Sequence, residues 1–239
     1  MKLTIVETGL VPEPIRDQFP DYPAMFRQMM SRMGDYSFET VSVLAGEALP
    51  DPASLDGLMI TGSPAGVYDD FAWIAPLMDF IRGAAGAGVP QVGICFGHQI
   101  LAEALGGKVV KSDKGWAAGR HTYDVLACPD FVPDGCPVQI SAAASHQDQV
   151  VVKPPGADVI AASGFTPFAG LYYPDAPALS FQCHPEFADD YSAALYSLRR
   201  PRLGDAATDA AVESLGQAGD HDRIAGWIAA FLAAHARGR

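Results

Sequence analysis

The chain has 239 residues, of which 49% are hydrophobic and 18% charged, a composition typical of a globular protein and not of a disordered segment. Its formal net charge is −12, and no dense run of lysine or arginine interrupts the acidic balance. Nucleic acid and anionic membrane surfaces are therefore poor candidate partners. No apolar run approaches the ~20 residues of a membrane span, which argues against a membrane protein.

The first half of the chain alternates strand-like and helix-like segments. Short apolar runs bounded by turn residues predict strands, and apolar residues three and four apart predict helices. In chain order these are strand 3–6, helix 22–33, strand 38–44, strand 57–62, helix 73–87, and a strand ending at residue 94 with a helix directly after it. The alternation predicts an α/β fold with a mostly parallel central sheet flanked by helices.

The second half changes character and predicts antiparallel additions to the sheet. From Ala188 the chain is predicted to be helical to its end, with Leu203–Gly219 as a loosely packed insertion. Because no repeat or linker is visible, residues 1–239 are interpreted as a single domain with a helical C-terminal segment over about 188–239. The short strand-like runs before that segment are 109–111, 123–126, 138–142, 150–152, 159–162, 169–172 and 178–181.

Four cysteines stand at irregular spacing, which indicates neither a disulfide framework nor a C-x-x-C pair. Met1–Glu7 reads as a first strand and not as a secretory leader. We therefore expect a cytoplasmic protein with reduced thiols, in which Cys128 and Cys136 pair only if oxidised. Neither a cofactor nor a metal site is expected, and Thr61–Pro64 lacks the Gly-Lys-Ser/Thr pattern of a phosphate-binding loop.

Cys95 is the strongest candidate for a reactive side chain. It lies between Gly93 and Gly97, where the fourth predicted strand meets a helix that places Leu101 and Leu105 on one face. Small neighbours let the backbone turn sharply and expose a nucleophile, and the start of a helix stabilises negative charge on a sulfur. The alternative is an inert cysteine in the core, but the flanking glycines and the immediate helix favour a nucleophile.

His184 and Glu186 follow the last predicted strand and offer a base and a carboxylate. Alternate residues of an extended chain share a face, so both can point to one side, while Cys183 turns away into the core. Pro185 favours the extended backbone that this needs. A catalytic thiol needs an imidazole to take its proton, and the imidazole needs a carboxylate to fix its tautomer. Alone the pair could be an ordinary strand end; with Cys95 it predicts a Cys-His-Glu triad.

These motifs resemble those of the class I glutamine amidotransferases, and in particular free-standing members similar to the glutaminase domain of GMP synthase. The resemblance rests on Gly93–Gln99 and His184–Glu186, and by the order of motifs it extends from Met1 to about Asp190. It implies a flavodoxin-like three-layer fold. Further stretches that match are Thr61–Pro64, Gly115–Trp116 and Ser145–Val150.

The resemblance also implies the roles of the reactive residues. Cys95 would attack the side-chain amide of glutamine and form a glutamyl thioester, releasing ammonia. His184 would act as general base and then as general acid, and Glu186 would orient it. The backbone N–H groups of Gly62 and Phe96 would form the oxyanion hole.

Substrate-binding residues are implied by their positions in the same motifs. Gln99 would hold the glutamyl end of the substrate, although its residue type also fits a solvated helix position. Ser145, His146 and Gln147 match the loop that binds the α-amino and carboxylate groups, mostly through its backbone. Gln147 stands where the family usually has glycine, so the hydrogen bonds of this loop are expected to differ.

Three functions fit these motifs. The first is a glutaminase or amidotransferase that releases ammonia or passes it to a synthetase partner in trans, because no ATP-using half is expected in the chain. The second is a free-standing hydrolase of γ-glutamyl peptides or conjugates. The third, disfavoured by the intact triad, is a non-catalytic regulatory protein on the same fold. The loops Ser63–Asp70 and Lys111–Gly119 are expected to discriminate between the first two, because a peptidase needs an open cleft for its leaving group.

Overall fold

Strands and helices alternate through the first half of the chain, and a computed structural model describes residues 1–132 and 135–236. The strands are β1 (Lys2–Glu7), β2 (Ser37–Ser42), β3 (Gly57–Ile60), β4 (Gln91–Ile94), β5 (Lys108–Lys111), β6 (Ala117–Val125), β7 (Gln139–His146), β8 (Asp148–Val152), β9 (Asp158–Ala162), β10 (Gly170–Tyr173) and β11 (Ala178–Phe181). The helices are α1 (Tyr22–Ser31), α2 (Ile74–Gly86), α3 (Phe96–Ala104), α4 (Asp189–Leu198), α5 (Arg200–Leu203), α6 (Asp205–Ser214) and α7 (His221–Ala234).

The central sheet joins a parallel half to an antiparallel half. Its strand order is β2-β1-β3-β4-β11-β10-β9-β6-β7. The pairings from β2 to β11 are parallel, and those from β11 to β7 are antiparallel. Strands β5 and β8 form a separate antiparallel pair. The predicted α/β fold, with a parallel centre and antiparallel additions in the second half, is confirmed.

The antiparallel strands curl back towards the parallel ones. The backbone N–H of His184, just after β11, donates to the carbonyl of Ala143 in β7 at 2.8 Å, although β7 is the last strand in the sheet order. Tyr196 of α4 fixes the same region by donating its hydroxyl to the carbonyl of Ala144 at 2.8 Å. The end of β7 is thereby brought to the edge of the sheet at which β4 and β11 end.

Helices cover both faces of the parallel strands. Met59 and Ile60 are neighbours in β3 and point to opposite faces, as the two-residue period of a strand requires. Met59 packs in a cluster with Phe231 of α7 and with residues of α1, and Ile60 packs in a second cluster with Leu77 of α2 and residues of α3. Burial on both faces explains why these strands read as continuous apolar runs.

The prediction for Leu203–Gly219 was wrong. This segment contains α6, which packs on β6 and buries Thr208 and Ala211. Gly119 of β6 approaches α6 so closely that a Cβ at this glycine would lie 2.9 Å from the Cα of Ala211. The Ala-, Asp- and Gly-rich composition of this segment predicts loose packing, whereas small residues are what allow a helix and a strand to approach closely.

Strand β6 begins earlier, and strand β7 ends later, than the sequence predicts. β6 starts at Ala117, and β7 continues to His146, so Ser145 and His146 end a strand instead of lying in a loop. Three consecutive alanines over 142–144 hide the alternation of apolar and polar residues by which a strand is recognised.

A disulfide joins Cys128 to Cys136, whereas the sequence predicts reduced thiols; Cys95 and Cys183 are free. The irregular spacing of the cysteines carries no signal for this pair. Residues 133–134 and 237–239 lie outside the described residues, and the latter include the end of the predicted helical segment 188–239. In the two described ranges, no helix combines the length and the apolar character needed to cross a membrane.

Candidate active site

Cys95 occupies a sharp turn between β4 and α3. Its φ is 56° and its ψ −105°, and among residues 1–132 and 135–236 it is the one non-glycine residue with a positive φ. Its N–H donates to the carbonyl of Phe181 in the adjacent β11 at 2.9 Å, and its carbonyl accepts from the N–H of Gln99 at 3.0 Å. These two hydrogen bonds hold the backbone of Cys95 in a sparsely populated conformation. This conformation, between a strand and a helix, is the geometry of a nucleophile elbow.

Gly93 and Gly97 permit this turn because a side chain fits at neither position. A Cβ at Gly93 would collide with the carbonyl group of Gly97, and a Cβ at Gly97 would collide with the carbonyl oxygen of Ile60 in β3. The elbow is therefore packed backbone against backbone on the neighbouring strand. This close approach is the physical reason for glycine on each side of Cys95.

The imidazole of His184 is held beside Cys95 by two side chains. Its Nδ1 lies 2.7 Å from Oε1 of Glu186, and its ring stacks on Phe187 with centroids 3.9 Å apart and planes 6° apart. The carboxylate oxygen fixes a proton on Nδ1, so Nε2 is the ring nitrogen left for the hydrogen bond with the Cys95 side chain. The side chains of His184 and Glu186 are only 4% and 1% exposed, so water competes little for these contacts.

Electrostatics favour a protonated His184. Burial alone lowers the pKa of His184, but the charges of Glu186 and Cys95 and their hydrogen bonds outweigh burial and raise it above its usual value. An imidazole of this kind can take the proton of the thiol and keep it beside the sulfur. The arrangement can therefore support a thiolate–imidazolium pair.

Gly62 and Phe96, the predicted oxyanion-hole residues, lie next to Cys95. A Cβ at Gly62 would be 3.2 Å from Cε1 of His184 and 3.8 Å from Cβ of Cys95, so the glycine keeps this approach open. Phe96 is the first residue of α3, and the N–H groups of the first helical turn have no acceptor within the helix. The structure thus brings both backbone positions close to Cys95.

Thr8, at the end of β1, fixes the turn that contains Gly62. Its N–H donates to Oγ1 of Thr61 at 3.0 Å, and its hydroxyl lies 2.9 Å from the carbonyl oxygen of Thr61 and 3.3 Å from that of Gly62. Both threonines are fully buried. Sequence reasoning missed Thr8, and the available signal was a polar residue directly after a buried strand.

Two cavities meet at Cys95. The larger, of about 310 Å³, lies between residues 63–69, the strand ends near Lys111 and Trp116, residues 145–148, and the C-terminal end of α4. The smaller, of about 20 Å³, lies on the His184 side. The predicted substrate-binding residues line the larger cavity together with Cys95: Gln99, Ser145, His146 and Gln147.

Gln99 is buried and hydrogen-bonded, not solvated. Its Nε2 donates to the carbonyl of Asp148 at 2.9 Å and to Oε1 of Gln182 at 3.1 Å. The carboxylate of Asp148 in turn accepts from the hydroxyl of Tyr68 at 2.8 Å, which ties one wall of the cavity to the other. Gln99 therefore positions the residues after β7 as well as bordering the cavity.

Ser145 and Gln147 are held by hydrogen bonds to residues outside β7, and the Nδ1 atom of His146 lies 3.1 Å from the carbonyl oxygen of Asp148. Oγ of Ser145 accepts from Nη1 of Arg199 at 2.5 Å, and Nε2 of Gln147 donates to the carbonyl of Ser112 at 3.3 Å. Burial lowers the pKa of His146 to about 3, so this imidazole is neutral at physiological pH.

Arg199 and Trp116 were not predicted as site residues. The guanidinium of Arg199, at the end of α4, lies 5.2 Å from the centroid of the Trp116 ring. Trp116 belongs to the stretch Gly115–Trp116 that resembles the family, so the sequence did point to it. Arg199 had none, because a helix-terminal arginine is usually a solvated residue.

Cys183 and His98 border neither cavity. Cys183 is 1% exposed in the core beneath α1 and α7, and burial raises the pKa of its thiol. Nδ1 of His98 lies 2.8 Å from Oγ of Ser180, and burial lowers the pKa of His98 to about 3. Within the described part of the chain, no group of three or more His, Cys, Asp or Glu side chains could hold a metal ion.

Comparison with known proteins agrees with this fold and identifies the family of the chain. The family model of the class-I glutamine amidotransferases matches residues 24–193, more than half of the chain. The chain therefore belongs to the class I glutamine amidotransferase family.

Two curated relatives resemble different extents of the chain. GMP synthase [glutamine-hydrolyzing] of Aquifex aeolicus is 37% identical over 130 residues, which cover 54% of this chain and 24% of that protein. Gamma-glutamyl peptidase 4 of Arabidopsis thaliana is 29% identical over 178 residues, which cover 71% of this chain and 70% of that protein. The chain thus spans about a quarter of the length of the GMP synthases it matches.

Solved structures agree on the fold. The crystal structure of a glutamine amidotransferase from Methylobacillus flagellatus superimposes with a TM-score of 0.79 at 20% identity, covering 100% of this chain and 96% of that one. At this identity the likeness is evidence for the fold alone.

Proposed function

We propose that this protein hydrolyses γ-glutamyl amides, of which glutamine is the simplest, by covalent catalysis at Cys95. One observation carries the proposal: a cysteine with positive φ at a helix start faces a histidine whose other ring nitrogen is bonded to a buried carboxylate. A nucleophile, a base and an orienting group in this relation are the elements of covalent acyl transfer. Membership of the amidotransferase family supports the same chemistry.

Acylation forms a thioester and releases an amine. His184 holds the thiol proton on Nε2 while the sulfur of Cys95 attacks the γ-carbonyl carbon. The C–N bond breaks, His184 gives that proton to the leaving nitrogen, and a γ-glutamyl thioester remains. Glu186 accepts the hydrogen bond from Nδ1 throughout and stabilises the imidazolium. With glutamine the leaving amine is ammonia.

Deacylation reverses these proton transfers with water in place of the amine. The cavity of about 20 Å³ beside Cys95 and His184 has room for one water molecule. His184 takes a proton from this water as oxygen bonds to the carbonyl carbon, the C–S bond breaks, and the sulfur regains the proton. Glutamate is the product. The N–H groups of Gly62 and Phe96 stabilise the oxyanion in both halves.

The fate of the amine separates two candidates. In the first, ammonia from glutamine is released or passed to a synthetase partner, and similarity to the GMP synthases supports this reading. In the second, the leaving group is an amino acid or peptide. The cavity of about 310 Å³ at Cys95 is in keeping with the second, because it would hold the glutamyl group and, beside it, a leaving group larger than ammonia, which needs only about the ~30 Å³ of a water molecule. Similarity to a γ-glutamyl peptidase over 70% of its length also supports it.

Glutamate release from glutamine and from γ-glutamyl dipeptides tests the proposal. Wild-type protein is expected to release glutamate, and Cys95→Ala is expected to lower kcat/KM by at least ~10⁴-fold. Cys183→Ala is the matched control, since it removes the other free thiol from a position outside both cavities, and it should remain active. Substantial turnover by Cys95→Ala, or no Cys95-dependent glutamate from any substrate, would overturn the proposal.

A glutamine analogue with an electrophilic diazoketone provides an independent readout. Of the two free thiols, Cys95 borders the cavities and contacts His184, whereas Cys183 is enclosed in the core. Peptide mass mapping should therefore find the label on Cys95. Labelling of Cys183 ahead of Cys95 would contradict the assignment of the nucleophile.

A further inference from the structure

Three cations border the larger cavity of an otherwise acidic chain. Lys111, Arg199 and Arg202 line it, and none of them forms an ion pair with a carboxylate in the ranges 1–132 and 135–236. The contrast with Arg200 is direct, because this neighbour of Arg199 points away and pairs with Asp205 and Asp209. Asp69 and Asp148 border the same cavity, and Lys111 interacts electrostatically with Asp148, so three cations face two carboxylates and the excess positive charge favours an anionic ligand.

Arg199 is the cation whose geometry is fixed. Its Nη1 donates to Oγ of Ser145 at 2.5 Å, and its guanidinium lies over the Trp116 ring. These contacts, with a second bond from Nη1 to the carbonyl of Ser145 at 3.4 Å, hold the plane of the group, and its Nε and Nη2 donate to no acceptor among the described residues. A planar fork of N–H donors matches the two oxygens of a carboxylate, so the site suits a carboxylate better than a point anion.

Arg199 also lies where the two cavities meet. Both are bordered by Cys95, Ser63, Ser145 and Arg199, and the smaller one is additionally bordered by His184. Because His184 hands a proton to the leaving nitrogen, that nitrogen lies on the side of the smaller cavity. This space of about 20 Å³ holds ammonia or water, so a larger leaving group must extend past Arg199 into the larger cavity.

We propose that Arg199 binds a carboxylate on the leaving group, which makes γ-glutamyl peptides with a free carboxylate on the leaving amino acid or peptide the preferred substrates. This inference rests on the proposed γ-glutamyl hydrolysis and specifies its substrate class. The exposed Lys111 and Arg202 at the mouth attract the same anion over a longer range. Glutamine has no such carboxylate, so Arg199 does not recognise its leaving group.

Matched substrates isolate the interaction. kcat/KM is measured for γ-glutamylglycine, for γ-glutamylglycinamide and for glutamine, with wild-type, Arg199→Gln, Arg199→Lys and Arg200→Gln proteins. The wild type is expected to prefer γ-glutamylglycine over its amide by ~10- to 100-fold, the effect of a charge-assisted hydrogen bond. Arg199→Gln should bring this ratio close to one. Arg199→Lys, which keeps the charge but loses the fork, should give an intermediate ratio.

Controls separate recognition from structural damage. Arg200→Gln removes an equal charge one residue away and should leave the ratio unchanged. Because Arg199 also holds Ser145, Arg199→Gln can lower the rates for all three substrates, but a purely structural role lowers acid and amide alike. Calorimetric binding of the two dipeptides to Cys95→Ala, with and without Arg199→Gln, gives the same ratio without turnover.

The outcomes distinguish this inference from the function on which it rests. Cys95-dependent hydrolysis with equal rates for acid and amide, or with a ratio that Arg199→Gln does not change, overturns the inference and leaves the proposed function standing. Hydrolysis of glutamine alone does the same. If no γ-glutamyl compound is cleaved or bound in any arm, the proposed function fails, and the inference fails with it.

Discussion

The two halves of the sheet contribute differently to the site. The parallel half supplies the proposed reactive groups: Gly62 follows β3, Cys95 follows β4, and His184 follows β11, on three strands that are neighbours in the sheet. Carboxyl ends of parallel strands meet at one edge, so these residues converge by topology alone. The antiparallel half and the helices after it supply the walls of the cavity, including Ser145 and Arg199.

The difference shows how each kind of group is fixed in place. The reactive residues depend on local backbone: the elbow at Cys95 is held by glycines packed on the adjacent strand. The wall residues depend on contacts between distant parts of the chain, such as the bond from His184 N–H to Ala143 and the pair Arg199–Ser145. We therefore expect damage to the parallel half to lower kcat, and damage to the antiparallel half mainly to raise KM.

After Cys95→Ala, the largest effect within the proposed triad is expected at its base. His184→Asn removes the group that takes the thiol proton and protonates the leaving amine, so kcat/KM should fall by ~10³- to 10⁴-fold. Circular dichroism checks that the fold is retained. Activity within tenfold of wild type would show that His184 is not the base. It would also contradict the statement that the parallel half supplies the reactive groups.

Glu186→Gln is expected to lower kcat ~10- to 100-fold less than His184→Asn does, because the amide oxygen can still accept from Nδ1 of His184. Glu186 raises the pKa of His184, so the variant should lower it, which an NMR titration of the imidazole measures. A raised folded-state pKa stabilises the fold below about pH 6.5, and this contribution is lost as pH rises through the folded pKa. An unchanged titration of His184 in the variant would contradict this account.

Thr8→Val tests a buried hydroxyl of the parallel half. It frees the turn at Gly62, and a small displacement of the oxyanion donors should lower kcat by ~10-fold with little change in KM. Thr8→Ser keeps the hydroxyl and should restore most of kcat. Equal activity of the valine and serine variants would show that the hydroxyl does not position Gly62.

Tyr196→Phe tests a buried hydroxyl of the antiparallel half. It removes the bond to the carbonyl of Ala144 in β7, which should cost about 1 kcal/mol of stability. Because the end of β7 borders the cavity, KM should rise by a few fold while kcat stays close to wild type. Urea denaturation and steady-state kinetics check the two effects. A drop in kcat with KM unchanged would reverse the proposed division between the halves.

The smallest effect compares one buried histidine from each half. Burial lowers the pKa of both His98, in α3, and His146, in β7, to about 3. The unfolded chain binds these protons near pH 6.5 and the folded chain does not, so stability should fall as pH drops from about 6.5 towards 3, by up to about 1.4 kcal/mol per pH unit for each histidine. Urea denaturation at several pH values measures the effect. In His98→Asn and in His146→Asn the free energy of unfolding should fall less steeply with decreasing pH than in the wild type. A slope unchanged in both variants would contradict the assignment.

Most of the parallel half could be predicted from sequence because its signals are local. The run before Cys95, its two glycines and the helix after it lie within a dozen residues. His184 and Glu186 are two residues apart on an extended segment, so alternation alone placed them on one face. The backbone conformation of such residues can be predicted from their sequence neighbours, because short-range backbone sterics determine it.

Tertiary structure decided the rest. Arg199 carries no local pattern, and the polar residue after a strand at Thr8 does not reveal its role, since each acts through a partner more than fifty residues away in sequence. The packing of α6 on β6 depended on small residues, which give no periodic signal. The sequence by itself determined which residues could react and the type of sheet that holds them. Only the curling of β7 back to β11 decided what surrounds the sulfur of Cys95, because that closure depends on long-range contacts and not on local propensity.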